Sequence, residues 1–513
     1  MSAKLIGNSG LYNTHVFGQK VKEGGTLFSS RKAQKKDTSD AMSVAERKAA
    51  GSLASIYALR MMGLFMILPV FSLYGESLKG NTPALIGLAI GIYGLTQAML
   101  QIPFGMMSDR IGRKPIIATG LVIFALGSVV AAMSHTMWGV ILGRALQGAG
   151  AIAAAIMALV ADLTREENRV KAMAMIGGSI GVAFAVSLVA GPIINSFVGV
   201  PGIFWITAVL AILGVFVLYR IVPTPVKSSF HRDAEPVPAQ FKNVLSNSEL
   251  LRLDAGIFIL HMVLTSTFVA LPFALRDYAH LPTEDHWWIY LPVLLIALVV
   301  MVPFVIVAEK KRRIKQVMTA AVVVLAVAEF LLMIDHFSVL SIFLSLLLFF
   351  IAFNVLEATL PSMIAKTAEP HLKGTAMGVY SSSQFLGAFC GGVAGGSLLG
   401  AYGVDGVFGF AAIGLLFWTY LLITMRNPKY LGTFMVNVGD VDEERARQLV
   451  NEMTHITGVA EVVVIPEDGV AYLKVDNQAL DKNELLRYSV QDTMEPDAAS
   501  SSENVSGDTV ADR

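Results

Sequence analysis

Twelve apolar runs of about 20 residues or more divide this 513-residue chain, and no other feature restricts its fold as severely. A helix of that length crosses the hydrocarbon of a bilayer. In lipid every backbone N–H and C=O must be satisfied within the protein, so runs of this kind become helices. The runs cover 53–78, 84–107, 115–134, 137–162, 169–197 and 202–222, then 252–275, 287–308, 316–334, 338–364, 372–401 and 405–425. A polar linker at 223–250, holding Pro223, Pro225, Pro236 and Pro238, separates six from six. Charged residues make up 15% of the chain, against about a quarter for a soluble protein.

Charge between the runs sets orientation. Arg110, Arg113 and Lys114 fall on one side, as do Arg165, Arg169 and Lys171, the cluster from Lys310 to Lys315, and Lys366 and Lys373. The opposite loops hold little beyond Lys79 and Arg276. Lys and Arg mark the cytoplasmic side, so both termini are expected there. The formal net charge of +0 implies no global field toward nucleic acid. The one cysteine, Cys390, excludes an intramolecular disulfide and a Cys metal cluster, and it reads as a small packing residue.

Between the second and third runs stands Gly105-Met106-Met107-Ser108-Asp109-Arg110-Ile111-Gly112-Arg113-Lys114. An acid, bases and two glycines in so short a turn belong at a membrane face, and the glycines permit a tight turn. The string GxxxDRxGRK is the signature loop of the major facilitator superfamily, and the chain resembles that family. A degenerate second copy follows 200 positions later: Val302-Pro303-Phe304 before Glu309, Lys310 and Arg313 echoes Ile102-Pro103-Phe104 before Asp109, Arg110 and Arg113. Val305 and Arg312 stand where the glycines were. Arg144-Ala145-Leu146-Gln147-Gly148-Ala149-Gly150 matches the family's fourth-helix motif. Ser187 to Pro192, closing in Gly191-Pro192, resembles its antiporter motif, with Gly148, Gly177, Gly181 and Gly191 as a small-residue packing seam. The resemblance implies a fold of twelve membrane helices in two six-helix bundles. It also implies that Gly105, Asp109, Arg110, Gly112, Arg113 and Asp162 form a conformational latch, with Arg113 pairing to Asp162 and a facing helix that starts near Gly374.

Ionisable groups inside spans are costly and are functional hypotheses by default. They are Arg60 and Arg144 in the first half, and His261, Glu329 and Glu357 in the second. A carboxyl or imidazole in low dielectric can change charge state over a useful pH range, so Glu357 and His261 lead as proton-coupling residues. Arg144 reads either as organiser of a central polar network or as a brace between helices. Arg60, Arg144 and Glu329 complete the proton-coupling candidates; for Glu329, nearer the outer face, contact with headgroups or water alone is the alternative reading.

After Arg426 the pattern changes to βαββα. A strand is expected over 433–438 and a helix over 442–454 with Ala446, Leu449, Val450 and Met453 on one face. Strands follow over 462–465 and 471–475 around Glu467-Asp468-Gly469, then a helix from Asp481. This is an α+β ferredoxin-like module that lacks paired cysteines for a metal and leaves His455 with a few carboxylates; an unknown ligand or partner is its expected role. The organisation expected is an N-terminal cytoplasmic tail over 1–50, a bundle over 51–222, the linker over 223–250, a bundle over 251–427, the module over 430–489 and a disordered tail over 490–513.

Runs around Arg60, Glu357 and Gly374, with the C-terminal module, are similar to YajR-type transporters with a C-terminal YAM domain, in the drug:proton antiporter group of bacterial inner membranes. The resemblance implies a monomeric, multi-pass exporter of small lipophilic compounds, driven by the proton gradient and needing no cofactor. Two alternatives stay open: a proton-coupled uptake symporter, and a transporter-derived sensor signalling through the C-terminal module. No nucleophile–base pair, phosphate loop or metal cluster speaks for an enzyme.

Overall fold

The structure is a computed structural model that describes residues 42–224, 240–369, 372–427, 431–466, 469–476 and 479–489. Most of the expected tail, the linker prolines Pro225, Pro236 and Pro238, and the segment 490–513 lie outside the described residues. The helical body and the module from Leu431 are separate compact units and are described in turn.

In the first half of the body, helix α1 covers Val44–Phe65 and short α2 covers Phe71–Gly75. The chain becomes helical nine residues before the first apolar run because Ser43 and Glu46 form a capping box, satisfying two backbone N–H groups reciprocally. Helices α3 (Pro83–Ile111) and α4 (Arg113–Met133) meet at one residue, Gly112. Its φ of 110° lies where a β-carbon is strained. The fourth run is two helices, α5 (Met137–Ala149) and α6 (Ala153–Leu163), separated by Gly150 to Ile152. Helix α7 runs over Glu166–Arg220 and contains two crossings, reversing at Gly199 with φ 68°.

The second half contains α8 (Phe241–Leu245) and α9 (Ser248–Phe273), then a π-helical turn at Ala274–Tyr278. Next come α10 (Trp287–Lys310), α11 (Ile314–Ile334), α12 (Val339–Thr367) and α13 (Lys373–Thr424). Helix α13 repeats the design of α7 and reverses at Gly403, again with φ 68°. Both reversals fall in the short gaps that the sequence leaves between apolar runs. Among the described residues nine helical stretches are long and apolar enough to cross a membrane. Two of these are the doubled helices, and α1, interrupted by Arg60, completes twelve crossings.

The two halves meet most closely at the end away from Gly112. There α3 lies backbone to backbone on α13. A β-carbon at Gly91 would stand 2.7 Å from Phe389 O, and one at Gly392 would stand 2.8 Å from Gly91 N. Small residues let helices approach like this. Ser72 donates to Phe268 O at 3.3 Å, and Arg276 donates to Glu76 across the halves at 2.7 Å. Toward the loop end the link thins to Gln101 donating to Ser382 Oγ at 2.8 Å. A β-carbon at Gly105 would meet only Ala154 of its own half. The start of α13 turns instead to the linker, with Thr375 donating to Gln240 Oε1 at 3.1 Å.

The C-terminal module has strand β1 (Gly432–Asn437), helix α14 (Glu443–Thr454), strands β2 (Val459–Ile465) and β3 (Val470–Val475), and helix α15 (Lys482–Leu486). The sheet order is β1-β3-β2, antiparallel throughout, with Asn437 and Ile465 both opposite Val470. Ala446, Leu449, Val450 and Met453 face Val462, Val464, Ala471 and Leu473 in one core, as the helix period requires. His455 Nδ1 lies 2.6 Å from Asn451 O.

Candidate functional site

In the second half, α9, α12 and α13 bring His261, Glu357 and Gln384 together. His261 Nε2 lies 3.3 Å from Glu357 Oε1 and 2.9 Å from Gln384 Nε2. Phe353 closes one side, its ring centroid 6.0 Å from the imidazole. The chemistry of this triad is two-state. A bare Nε2 accepts from the Gln384 amide; a protonated Nε2 donates to Glu357. The tautomer and charge of the ring decide which of the two partners this nitrogen serves.

Asp254 belongs to the same region and sequence reading missed it. It is 5% exposed, and neither carboxylate oxygen has a hydrogen-bond partner among the described residues. The Tyr380 hydroxyl is within electrostatic reach of both Asp254 and Glu357. At the start of an apolar run an acid reads as a boundary, but α9 begins at Ser248 and carries Asp254 inside. The available signal was spacing: Asp254 and His261 are seven residues apart, two turns along one helix face.

Glu329 departs from expectation. It is fully buried within the bundle: Thr267 Oγ1 donates to Oε1 at 2.6 Å, and Oε2 has no hydrogen-bond partner among the described residues. The reason is rotational, since the face of α11 that carries it, with Leu325, Ala328 and Leu332, turns into the bundle.

In the first half, Arg60 and Arg144 flank one aromatic ring. Their guanidinium carbons lie 5.6 and 5.2 Å from the Tyr93 centroid. Arg60 donates to Gln97 Oε1 at 2.5 Å. Arg144 donates to Gln147 Oε1 at 2.9 Å and to the carbonyls of Ala89 and Ile90 at 3.3 Å. These carbonyls belong to α3, so Arg144 does brace a neighbouring helix; its place in a wider network is a separate matter.

At the loop end Arg113, 4% exposed, gathers the signature residues. Its Nη1 pairs with Asp109 and donates to Ser108 Oγ at 2.9 Å, and its Nε donates to Asp162 at 3.2 Å. Arg110 is exposed. The described contacts of Asp109 stay in its own half, not with the facing helix near Gly374. In the second copy Glu309 accepts from Lys366 at 2.5 Å and from Ser362 at 2.6 Å. Arg312, replacing the glycine, keeps a positive φ of 53°.

The packing glycines divide. A β-carbon at Gly148 would run into Tyr93 O, and one at Gly191, beside Pro192, into Met66 O. Gly181 is a correction: nothing lies within 4 Å of its β-carbon position, and the same holds for Gly177. Both glycines lie on the exposed face of α7, while Ile176 and Ala183 on its other side carry the packing, so close packing does not account for either glycine in this structure.

The family model described as Major Facilitator Superfamily matches residues 53–308 and 253–434. The chain belongs to the major facilitator superfamily. Within it, the chain is 46% identical over 448 residues to the inner membrane transport protein YajR of Escherichia coli, covering 86% of this chain and 97% of that one. It is 26% identical over 350 residues to the multidrug resistance protein MdtH of Proteus mirabilis, covering 66% and 84%. A solved structure of a bacterial homologue of the human lysosomal transporter Spinster, inward-facing and occupied, aligns with a TM-score of 0.63 at 13% identity, covering 74% and 97%. That likeness concerns the fold. Membership makes this a multi-pass membrane transport protein, not an enzyme, and implies a small-molecule substrate. The superfamily chain thus carries two unlike polar centres: guanidinium groups in the first half, carboxyls and an imidazole in the second.

Proposed function

We propose that the chain is a proton-coupled secondary transporter that exports small lipophilic compounds by alternating access, with both termini in the cytoplasm of a bacterial cell and the body in its inner membrane. The observation that carries this is the His261–Glu357–Gln384 triad, where one nitrogen faces a carboxylate and an amide on two different helices. Protonation there changes which helices are tied, which is what coupling a proton to a conformational change requires. Glu357 and His261 are the proposed carriers, with Asp254 and Glu329 as further buried carboxyls. The direction of transport draws on the resemblance to efflux proteins, and the orientation draws on the basic loops. In this orientation the halves are joined at the outer end and looser at the cytoplasmic end, where Asp109 and Arg113 are the proposed latch.

The test is proton movement in proteoliposomes exposed to a panel of lipophilic cations and neutral drugs. Substrate-triggered proton flux that Glu357→Gln abolishes is the expected result. Binding without flux in a folded preparation would refute coupled transport and favour the sensor.

A further inference from the structure

The first half holds donors that lack an acceptor. Arg60, Tyr93 and Gln97 are 0%, 1% and 0% exposed. Arg60 spends one nitrogen on Gln97 Oε1. Its Nε and Nη1 and the Gln97 Nε2 make no hydrogen bond of ordinary geometry among the described residues, and the Tyr93 hydroxyl, within electrostatic reach of Arg60, makes none of ordinary geometry either. Across the Tyr93 ring Arg144 adds a second positive charge, and its bonds all go to neutral oxygens.

The acids of this half whose side chains are described are committed elsewhere. Glu46 serves Arg165, Asp109 and Asp162 serve Arg113, and Glu76 serves Arg276. A buried charge without a counter-charge is strongly unfavourable. The aromatic faces of Tyr93 and Phe124, 5.6 and 5.5 Å from the Arg60 guanidinium, offset only part of that cost. The cluster is also at the meeting of the halves, because Phe385 of α13 lies over Tyr93 with centroids 6.4 Å apart. Parting α3 from α13 would remove Phe385 from the Tyr93 ring.

We propose that Arg60, Gln97 and Tyr93 form a binding site for a singly charged anion, with Arg144 contributing its charge from across the ring. The substrates of this chain accordingly include lipophilic compounds that carry a carboxylate or an equivalent anionic group. This rests on the transporter reading, since it takes the space between the halves as the substrate's route. A free halide offers the same single charge as a carboxylate, so the two sources are separated by experiment.

Thermal unfolding of the full-length protein in detergent, with doubly charged sulfate at fixed concentration as the background anion, is followed against sodium benzoate, neutral benzamide and sodium chloride. The midpoint is expected to rise saturably by about 2 °C or more with benzoate and not with benzamide. A rise with chloride alone would support the anion site and overturn the lipophilic carboxylate as its occupant. Arg60→Gln should abolish the response. Gln97→Glu covers the case in which that variant does not fold. Its carboxylate stands where an oxygen already accepts from Arg60, so it should unfold at a higher temperature without added anion and ignore benzoate and chloride. Equal response to benzamide, an intact response in Gln97→Glu, or no response to either anion would overturn the proposal. Binding is read without a gradient, so failure here leaves proton-coupled flux standing, and loss of flux leaves this result standing.

Discussion

Glu46 shows how one side chain can tie the entry of the first helix to a distant loop. Its carboxylate accepts from the Arg165 backbone at 2.9 Å, from Arg165 Nε at 3.1 Å and from Asn168 at 3.2 Å. Burial alone would raise this carboxyl, yet hydrogen bonds from Arg165 and Ser43 hold it at about 2, below its ordinary 4.5. A carboxyl depressed in the folded state contributes stability above its unfolded value and loses that contribution as pH falls through the folded one. Glu46→Gln should therefore cost about 1–2 kcal/mol at neutral pH. The gap from wild type should narrow as pH falls from 4.5 toward 2, read by thermal unfolding across pH. Asp254 is the opposite case. Neither oxygen has a hydrogen-bond partner among the described residues, so Asp254→Asn should raise stability by about 1 kcal/mol while lowering proton-coupled flux. A variant that loses stability and keeps flux would remove Asp254 from the coupling path. Sequence made the ionisable residues inside spans visible, and Glu357 and His261 do meet. It missed Asp254 because an acid near a boundary resembles a loop residue, and it misplaced Glu329 because depth along a helix says nothing about which way the helix is turned.

Helix boundaries were legible where the apolar runs break. Gly112 marks a tight turn, the gaps at 198–201 and 402–404 mark reversals without singling out Gly199 or Gly403, and the βαββα order and core face of the module follow from period alone. What could not be read was contact. Gly181 and Gly191 look equivalent in the string, yet only Gly191 lies against a neighbour's backbone. Gly191→Ala should destabilise by about 1–3 kcal/mol through overpacking. Gly181→Ala should be neutral or slightly stabilising, by up to about 1 kcal/mol, because it removes chain entropy from a helix interior without a clash. Thermal unfolding of the two variants side by side checks this, and equal effects would contradict the packing described.

For the molecule as a whole, the ends of the two halves are held unequally. The Glu76–Arg276 pair, 47% and 35% exposed at its side chains, adds little stability by itself, but it sits where the halves must part. With Cys390 replaced by serine, a Glu76→Cys/Arg276→Cys pair bridged through two disulfides by a short bis-thiosulfonate reagent, which releases sulfinate at each thiol, should stop transport and recover it on reduction. Transport that continues through the bridge would exclude opening at this end. The reversals at Gly199 and Gly403 sit at the same face, and each joins two crossings with one glycine in place of a loop. That face accordingly offers little slack for a protease to seize or for an inserted epitope to occupy. Tags and cleavage sites placed after Gly199 or Gly403 should wreck assembly, whereas the linker between the two halves is the natural place to cut the chain.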